Sequence, residues 1–154
     1  MDGKPVRIAI VGIGMWCKAL ATVIQKSGAF QIVTCFTRTQ VKRDEFAATF
    51  RCDRETSYED VLRREDVEAI LLTTPNSAHS EMTVLAADHG KHVLVEKPIA
   101  NRVSDARRMV EACKKNGGIS GISRPRSPAR ARISPSGTSR FFWMSLPSAF
   151  SGET

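Results

Sequence analysis

Residues 5–117 predict a doubly wound α/β domain built on a parallel sheet, and three observations carry that expectation. Short apolar runs rich in β-branched residues alternate with stretches of helical periodicity, the order produced by parallel strands joined through helical crossovers. The first run, VRIAIV, ends in glycines at a strand-to-helix turn. Two later runs deliver polar motifs, TTPNSAH at 73–79 and EKP at 96–98, to the carboxyl ends of strands, where such sheets bind ligands.

Taken in order, the chain predicts a first, central strand near 6–11 and then a helix through MWCKALATVIQKSG, with Leu20, Val23 and Ile24 on one face and Gly28 as its stop. FQIVTCFTR gives a strand near 31–36, VKRDEFAATF a helix, and residues 51–53 a short third strand. Ser57 opens SYEDVLRR with Asp60 three residues on, a capping box with Asp in place of Glu. VEAILLTTP supplies a strand near 69–73, SAHSEMTVLAADHG a helix closed by Gly90, and HVLVE a strand near 92–96. SDARRMVEACKKNGG is a helix capped by Ser104 and Gly117.

Composition bounds the function. With 42% apolar and 25% charged residues, and apolar runs far too short to cross a bilayer, the expectation is a soluble protein with no membrane partner. The N-terminus lacks the three-part pattern of a secretory signal, which points to the cytoplasm. Cys17, Cys35, Cys52 and Cys113 are scattered without a C-x-x-C pair, so reduced thiols are expected and no metal site. The net charge of +7 is unevenly spread, +3 over residues 1–117 and +4 over 118–154.

Gly12-Ile13-Gly14 carries the first chemistry. Gly12 permits a tight turn and Gly14 lets a pyrophosphate reach the backbone and the N-terminus of the following helix, where Met15 and Trp16 stand. The third glycine of G-x-G-x-x-G is replaced by Cys17, which loosens helix-on-strand packing; an ordinary strand-to-helix turn is the bland alternative. At the end of the second strand an acidic residue would select the ribose hydroxyl of NAD. Thr37-Arg38-Thr39 stands there instead, with Lys42 and Arg43 beyond, so the pocket leans to NADP over NAD unless these cations are simply solvated.

Glu96-Lys97 closing an apolar strand is costly unless it faces a cleft. Pro98 stops the strand there, since it cannot donate to the ladder. Together, IAIVGIG, TTPNSAH and GKHVLVEKPIA resemble the N-terminal Rossmann domain of the Gfo/Idh/MocA oxidoreductases, the family of glucose-fructose oxidoreductase and inositol dehydrogenase, over residues 5 to about 117. The resemblance implies NADP or NAD as cofactor and a sugar-like or polyol substrate. It gives Lys97 a catalytic role beside the nicotinamide and sets Thr74, Pro75, Asn76, Glu96 and Pro98 near the cofactor. His79 either lines that cleft or occupies the first turn of a helix capped by Asn76.

The family also has a C-terminal α/β domain that supplies substrate contacts, an Asp and a His for proton transfer, and usually the oligomer interface. No histidine follows His92. Residues 118–154 form instead a Ser/Arg/Pro-rich tail holding four of the seven prolines and no lysine. The domain reading is therefore a nucleotide-binding domain at 1–117 and a tail at 118–154 that opens on a short strand at 119–123 and is expected to be disordered over 124–154, with truncation and a frameshift near 117–120. An oligomer is expected only with the second domain. A nucleic-acid arm is the rival for the tail, with Arg124, Arg126, Arg130, Arg132 and Arg140 for phosphates and Phe141, Phe142 and Trp143 for bases, but five arginines are too few to support it. The rival for the whole chain is a nucleotide-binding module without catalysis.

Overall fold

A computed structural model describes residues 4–117 and the backbone of Ser120–Ile122. The chain runs β1 (Val6–Val11), α1 (Cys17–Lys26), β2 (Phe30–Phe36), α2 (Gln40–Phe50), β3 (Asp53–Arg54), α3 (Tyr58–Arg63), β4 (Ala69–Leu72), α4 (Asn76–Asp88), β5 (His92–Val95), α5 (Val103–Lys115) and β6 (Ser120–Ile122). The six strands form one sheet in the order β3-β2-β1-β4-β5-β6, and every pair is parallel. This is the doubly wound Rossmann topology, with β1 inside the sheet and the winding direction reversing between β1 and β4.

Period-2 alternation along β1 sorts its side chains to two cores. Ile8 and Ile10 join Leu20, Ile24, Ile32, Phe46, Phe50 and Leu71 in one cluster. Ala9 and Val11 join Tyr58, Val61, Ile70, Leu72, Val93, Val95 and Met109 in the other. A strand covered on both faces must be apolar throughout, which is why IAIV has no polar break. Each fully buried isoleucine, such as Ile10 or Ile70, contributes roughly 1.5–3 kcal/mol.

The boundaries differ from expectation where local chemistry intervenes. The short third strand starts at Asp53 because Arg51 ends α2 in a left-handed conformation, φ 53°, with the Cys52 N–H donating to the Ala47 carbonyl. Two caps are corrected. Asn76 is the first residue of α4, with Pro75 at the cap position and no side-chain cap bond. Ser104 lies inside α5, which begins at Val103 after Arg102, again without a side-chain cap. Gly28, Gly90 and Gly117 do take positive φ beyond their helices. Expectations for residues 123–154, the tail arginines and aromatics included, lie outside the described residues. No helix among the described residues is long and apolar enough to cross a membrane.

Ser57 caps α3 as its spacing predicted. Its hydroxyl accepts from the Asp60 N–H at 3.0 Å and donates to Asp60 Oδ2 at 2.7 Å. That bond, ahead of the nearby Arg63 charge, holds the Asp60 carboxyl below the usual range. Ser57→Ala is expected to lower unfolding free energy by about 1 kcal/mol in chemical denaturation, the ordinary worth of an N-cap hydroxyl. An unchanged midpoint would show that α3 is held by Tyr58, Val61 and Leu62 alone.

Candidate functional site

Parallel pairing puts the carboxyl ends of β1, β2, β4 and β5 on one edge, and the loops leaving them meet there. Beyond the regular ladder, three backbone bonds register these loops. The Gly12 N–H donates to the Phe36 carbonyl at 2.8 Å, Thr73 N–H to Val11 at 2.8 Å, and Glu96 N–H to Leu72 at 3.0 Å. The loops after β1, β4 and β5 are thereby tied to the neighbouring strands.

The glycines of the first turn do different work. Gly12 has φ 90°, and a Cβ built there would lie 2.8 Å from the Thr73 carbonyl carbon, the Thr74 nitrogen and Thr74 Cγ2. Two of those are backbone atoms that cannot swing aside, so only glycine fits. At Gly14 a Cβ would meet nothing within 4 Å. The residue is exposed, and the α1 N-terminus follows it directly. Open space above a glycine at a helix N-terminus, the end of a helix where backbone N–H groups lack intrahelical partners, suits a phosphate-bearing ligand. α1 carries no acidic residue in its first turn to oppose an anion.

The remaining residues of this turn divide between core and surface. Ile13 is buried in the core, so its backbone alone faces the edge. Met15 and Trp16 are exposed, 89% and 73%, and Trp16 occupies the cap position of α1. Cys17, where a third glycine is expected, is buried at 1%; burial pushes its thiol up to about 11, against a hydrogen bond with Thr73. Cys17 is thus part of the core cluster between α1 and the sheet.

At the end of β2, Thr37 is half-buried and Arg38 exposed. Arg43, from α2, reaches back to donate from Nη1 to the Thr37 carbonyl at 2.8 Å, which fixes that loop. Its Nε is buried without a partner among the described residues. After β4, Thr73 also takes part, a residue that the motif alone does not single out from Thr74. The Thr73 hydroxyl bonds to the Gly12 carbonyl, locking the two loops from the side opposite the Gly12 contact. Thr74 Oγ1 is buried with no partner among the described residues, Pro75 is exposed, and Asn76 is half-buried at the start of α4.

After β5, Glu96 is half-buried and Lys97 and Pro98 are exposed, with a cis peptide between the last two. Glu96 Oε1 accepts from the Lys97 N–H at 3.2 Å. The Lys97 ammonium is in no ion pair among the described residues. His79 is fully buried on α4, with Nε2 2.8 Å from the Thr74 carbonyl oxygen and Nδ1 3.1 Å from that of Pro98. It reaches the edge through those two carbonyls, with no ring surface open to the cleft.

Comparison with known proteins adds four findings. Residues 6–123 match the sequence model of the Gfo/Idh/MocA group, described as an oxidoreductase family with an NAD-binding Rossmann fold. The chain is 36% identical over 116 residues to a 2,7-anhydro-N-acetylneuraminate hydratase of Mediterraneibacter gnavus, covering 75% of this chain and 30% of that protein. It is 30% identical over 113 residues to a scyllo-inositol 2-dehydrogenase (NADP(+)) of Bacillus subtilis, covering 73% and 34%. Among solved structures it superposes on an NAD-binding protein from Listeria innocua with a TM-score of 0.73 and 30% identity, covering 78% of this chain and 34% of that one. The chain thus spans about a third of the length of these relatives.

The geometry separates two glycine variants. Gly14→Ala should leave the thermal midpoint nearly unchanged, because its methyl enters open space, yet weaken nucleotide binding by occluding the turn. Gly12→Ala should destabilise the fold itself, since φ 90° and backbone contact at 2.8 Å both oppose it. Thermal melts with a fluorescence titration of NADPH and NADH check both; Gly14→Ala binding at wild-type affinity would move the ligand elsewhere.

Proposed function

The chain belongs to the Gfo/Idh/MocA oxidoreductase family, with its NAD-binding Rossmann fold, and from that premise we propose that it is the nucleotide-binding part of an NADP-preferring oxidoreductase of sugar-like or polyol substrates. The observation that carries this reading is the pairing of open space at Gly14 with an exposed Lys97 ammonium on the same sheet edge. The cofactor side needs the first and the chemistry needs the second. Two relatives' names point the same way for the substrate: one protein is a scyllo-inositol 2-dehydrogenase and another an inositol 2-dehydrogenase of Salmonella typhimurium.

The residues take the following parts. Backbone N–H groups from Ile13 to Trp16 and the α1 N-terminus meet the pyrophosphate, the Gly12 N–H being held by the Phe36 carbonyl. Thr37 and Arg38 face the adenosine ribose, where a guanidinium pairs with a 2′-phosphate and an acidic side chain would repel it. Thr74, Pro75, Asn76, Glu96 and Pro98 wall the nicotinamide end. The nicotinamide, when bound, supplies or takes up the hydride. Lys97 hydrogen-bonds the substrate oxygen and stabilises the negative charge that develops there, without itself forming a covalent bond.

Two measurements test this. Arg38→Ala should weaken NADPH by about tenfold or more, the scale of a charged hydrogen bond, and leave NADH unaffected. Equal losses for both nucleotides would remove the NADP preference. The second joins residues 6–123 to the remainder of a relative's chain, so that substrate can be held against the nucleotide. There Lys97→Ala should lower kcat about 100-fold with cofactor affinity retained. Full turnover after that substitution would strip Lys97 of its role. For the 154-residue chain alone, nucleotide binding with turnover near background is expected, because holding the two reactants together accounts for roughly 7–11 kcal/mol of barrier reduction.

A further inference from the structure

We propose that His79 is a positioning residue, a clamp beneath the cleft that fixes the loop after β5, and with it Lys97, against the loop after β4; the functional meaning of this clamp rests on the reading of the site given above. The observation is a pair of contacts from one sealed ring. His79 is 0% exposed, on the first turn of α4, and its two nitrogens lie 2.8 Å from the Thr74 carbonyl oxygen and 3.1 Å from the Pro98 carbonyl oxygen.

Those two carbonyls belong to loops that the sheet itself leaves unjoined. β4 and β5 pair as far as Leu72 and Val95, and the Glu96 N–H closes the ladder on Leu72. Past that bond, among the described residues, no backbone hydrogen bond links 73–75 to 97–99. The imidazole spans the gap. Both partners are carbonyl oxygens with lone pairs only, so the ring serves them as a donor. One N–H satisfies one carbonyl at a time and two satisfy both.

A buried histidine at such a point is costly unless it is hydrogen-bonded, and a phenylalanine of similar shape would fill the space without donating. What phenylalanine could not do is hold the Pro98 carbonyl, and so the Lys97–Pro98 segment, at a set distance from Thr74. Side chains that orient a reacting group matter at sub-ångström precision, because small misplacement costs large factors in rate. His79 is therefore assigned to the position of Lys97 and of Thr74, one residue removed from the ligand.

Amide hydrogen exchange of His79→Phe tests the clamp without any nucleotide. Exchange should accelerate at residues 73–74 and 96–97, while Leu71 and Val93 inside the strands stay protected. His79→Gln, which retains an N–H donor, should show a smaller effect in the same places, and it serves as the readout should the phenylalanine variant fail to fold. In parallel, NADPH affinity of the folded variant should fall about tenfold, with partial recovery in His79→Gln. A uniform loss of protection across the sheet, or protection unchanged at 96–97, would overturn the proposal and leave His79 as a core residue. If the wild-type chain bound neither NADPH nor NADH, the proposed function would fail while the exchange pattern still decided the clamp.

Discussion

The approach of Gly12 to the Thr73–Thr74 peptide is the contact on which the cleft depends. It sits where the winding of the sheet reverses, between β1 and β4. At that point two loops leave neighbouring strands in opposite directions, and a ligand fits between them only if the loops start close and then part. Zero room at Gly12 and open room at Gly14 describe that divergence in two residues. The Thr73 hydroxyl on the Gly12 carbonyl and the Thr73 N–H on Val11 hold it from the other side. A side chain at residue 12 would push β4's loop outward and carry Thr74, and through His79 the Pro98 segment, along with it.

Charge around this edge is arranged by what pairs elsewhere. Away from the cleft, Arg64 gathers Asp53 at 2.9 Å, Glu55 at 2.8 Å and Asp66 at 2.7 Å, and its hydrogen bond to Asp66 holds that carboxyl below the usual range. Asp53, Glu55 and Asp66 are thus taken up by one guanidinium, and Asp60 pairs with Arg63. Lys91 is buried with its ammonium on the carbonyls of Arg64 and Val67, and burial pulls its pKa down. Arg38 and Lys97 are the cations left exposed at the loop ends of β2 and β5. Glu96 is the carboxylate beside Lys97, and neither Arg38 nor Lys97 is in an ion pair among the described residues, which leaves both cations open to an anionic ligand.

Much of this was legible in the sequence because period and punctuation report directly on backbone. Alternation fixed the strands to within a residue or two, and Gly28, Gly90 and Gly117 marked helix ends through the positive φ they adopt. Ser57 with Asp60 showed a cap by spacing alone. What escaped was decided by contacts between distant segments. Arg51 in a left-handed cap displaced the short strand, although nothing local distinguishes it from a helical arginine. Asn76 and Ser104 have the right side chains for capping but stand one or two residues inside their helices, because Pro75 and Arg102 occupy the cap positions, each with non-helical backbone. The part of Thr73 depends on Gly12, 61 residues away in the chain, and local pattern does not report it. The signal that could have found it is its place beside Thr74 in the quoted motif.

His79 shows why motif residues need geometry before roles. Its spacing from Thr74 and Pro75 puts it one helical turn into α4, and a turn of helix points such a side chain back toward the preceding loop. That direction is toward Thr74, which the ring indeed meets; the second contact, to Pro98, exists because β5 lies beside β4 in the sheet. The histidine thus converts strand adjacency into loop adjacency, past the point where the ladder can do so. Exposed loops carry chemistry and buried scaffolds hold it in place. Here the T-P-N-x-x-H stretch contributes to both, with Thr74 at the edge and His79 beneath it.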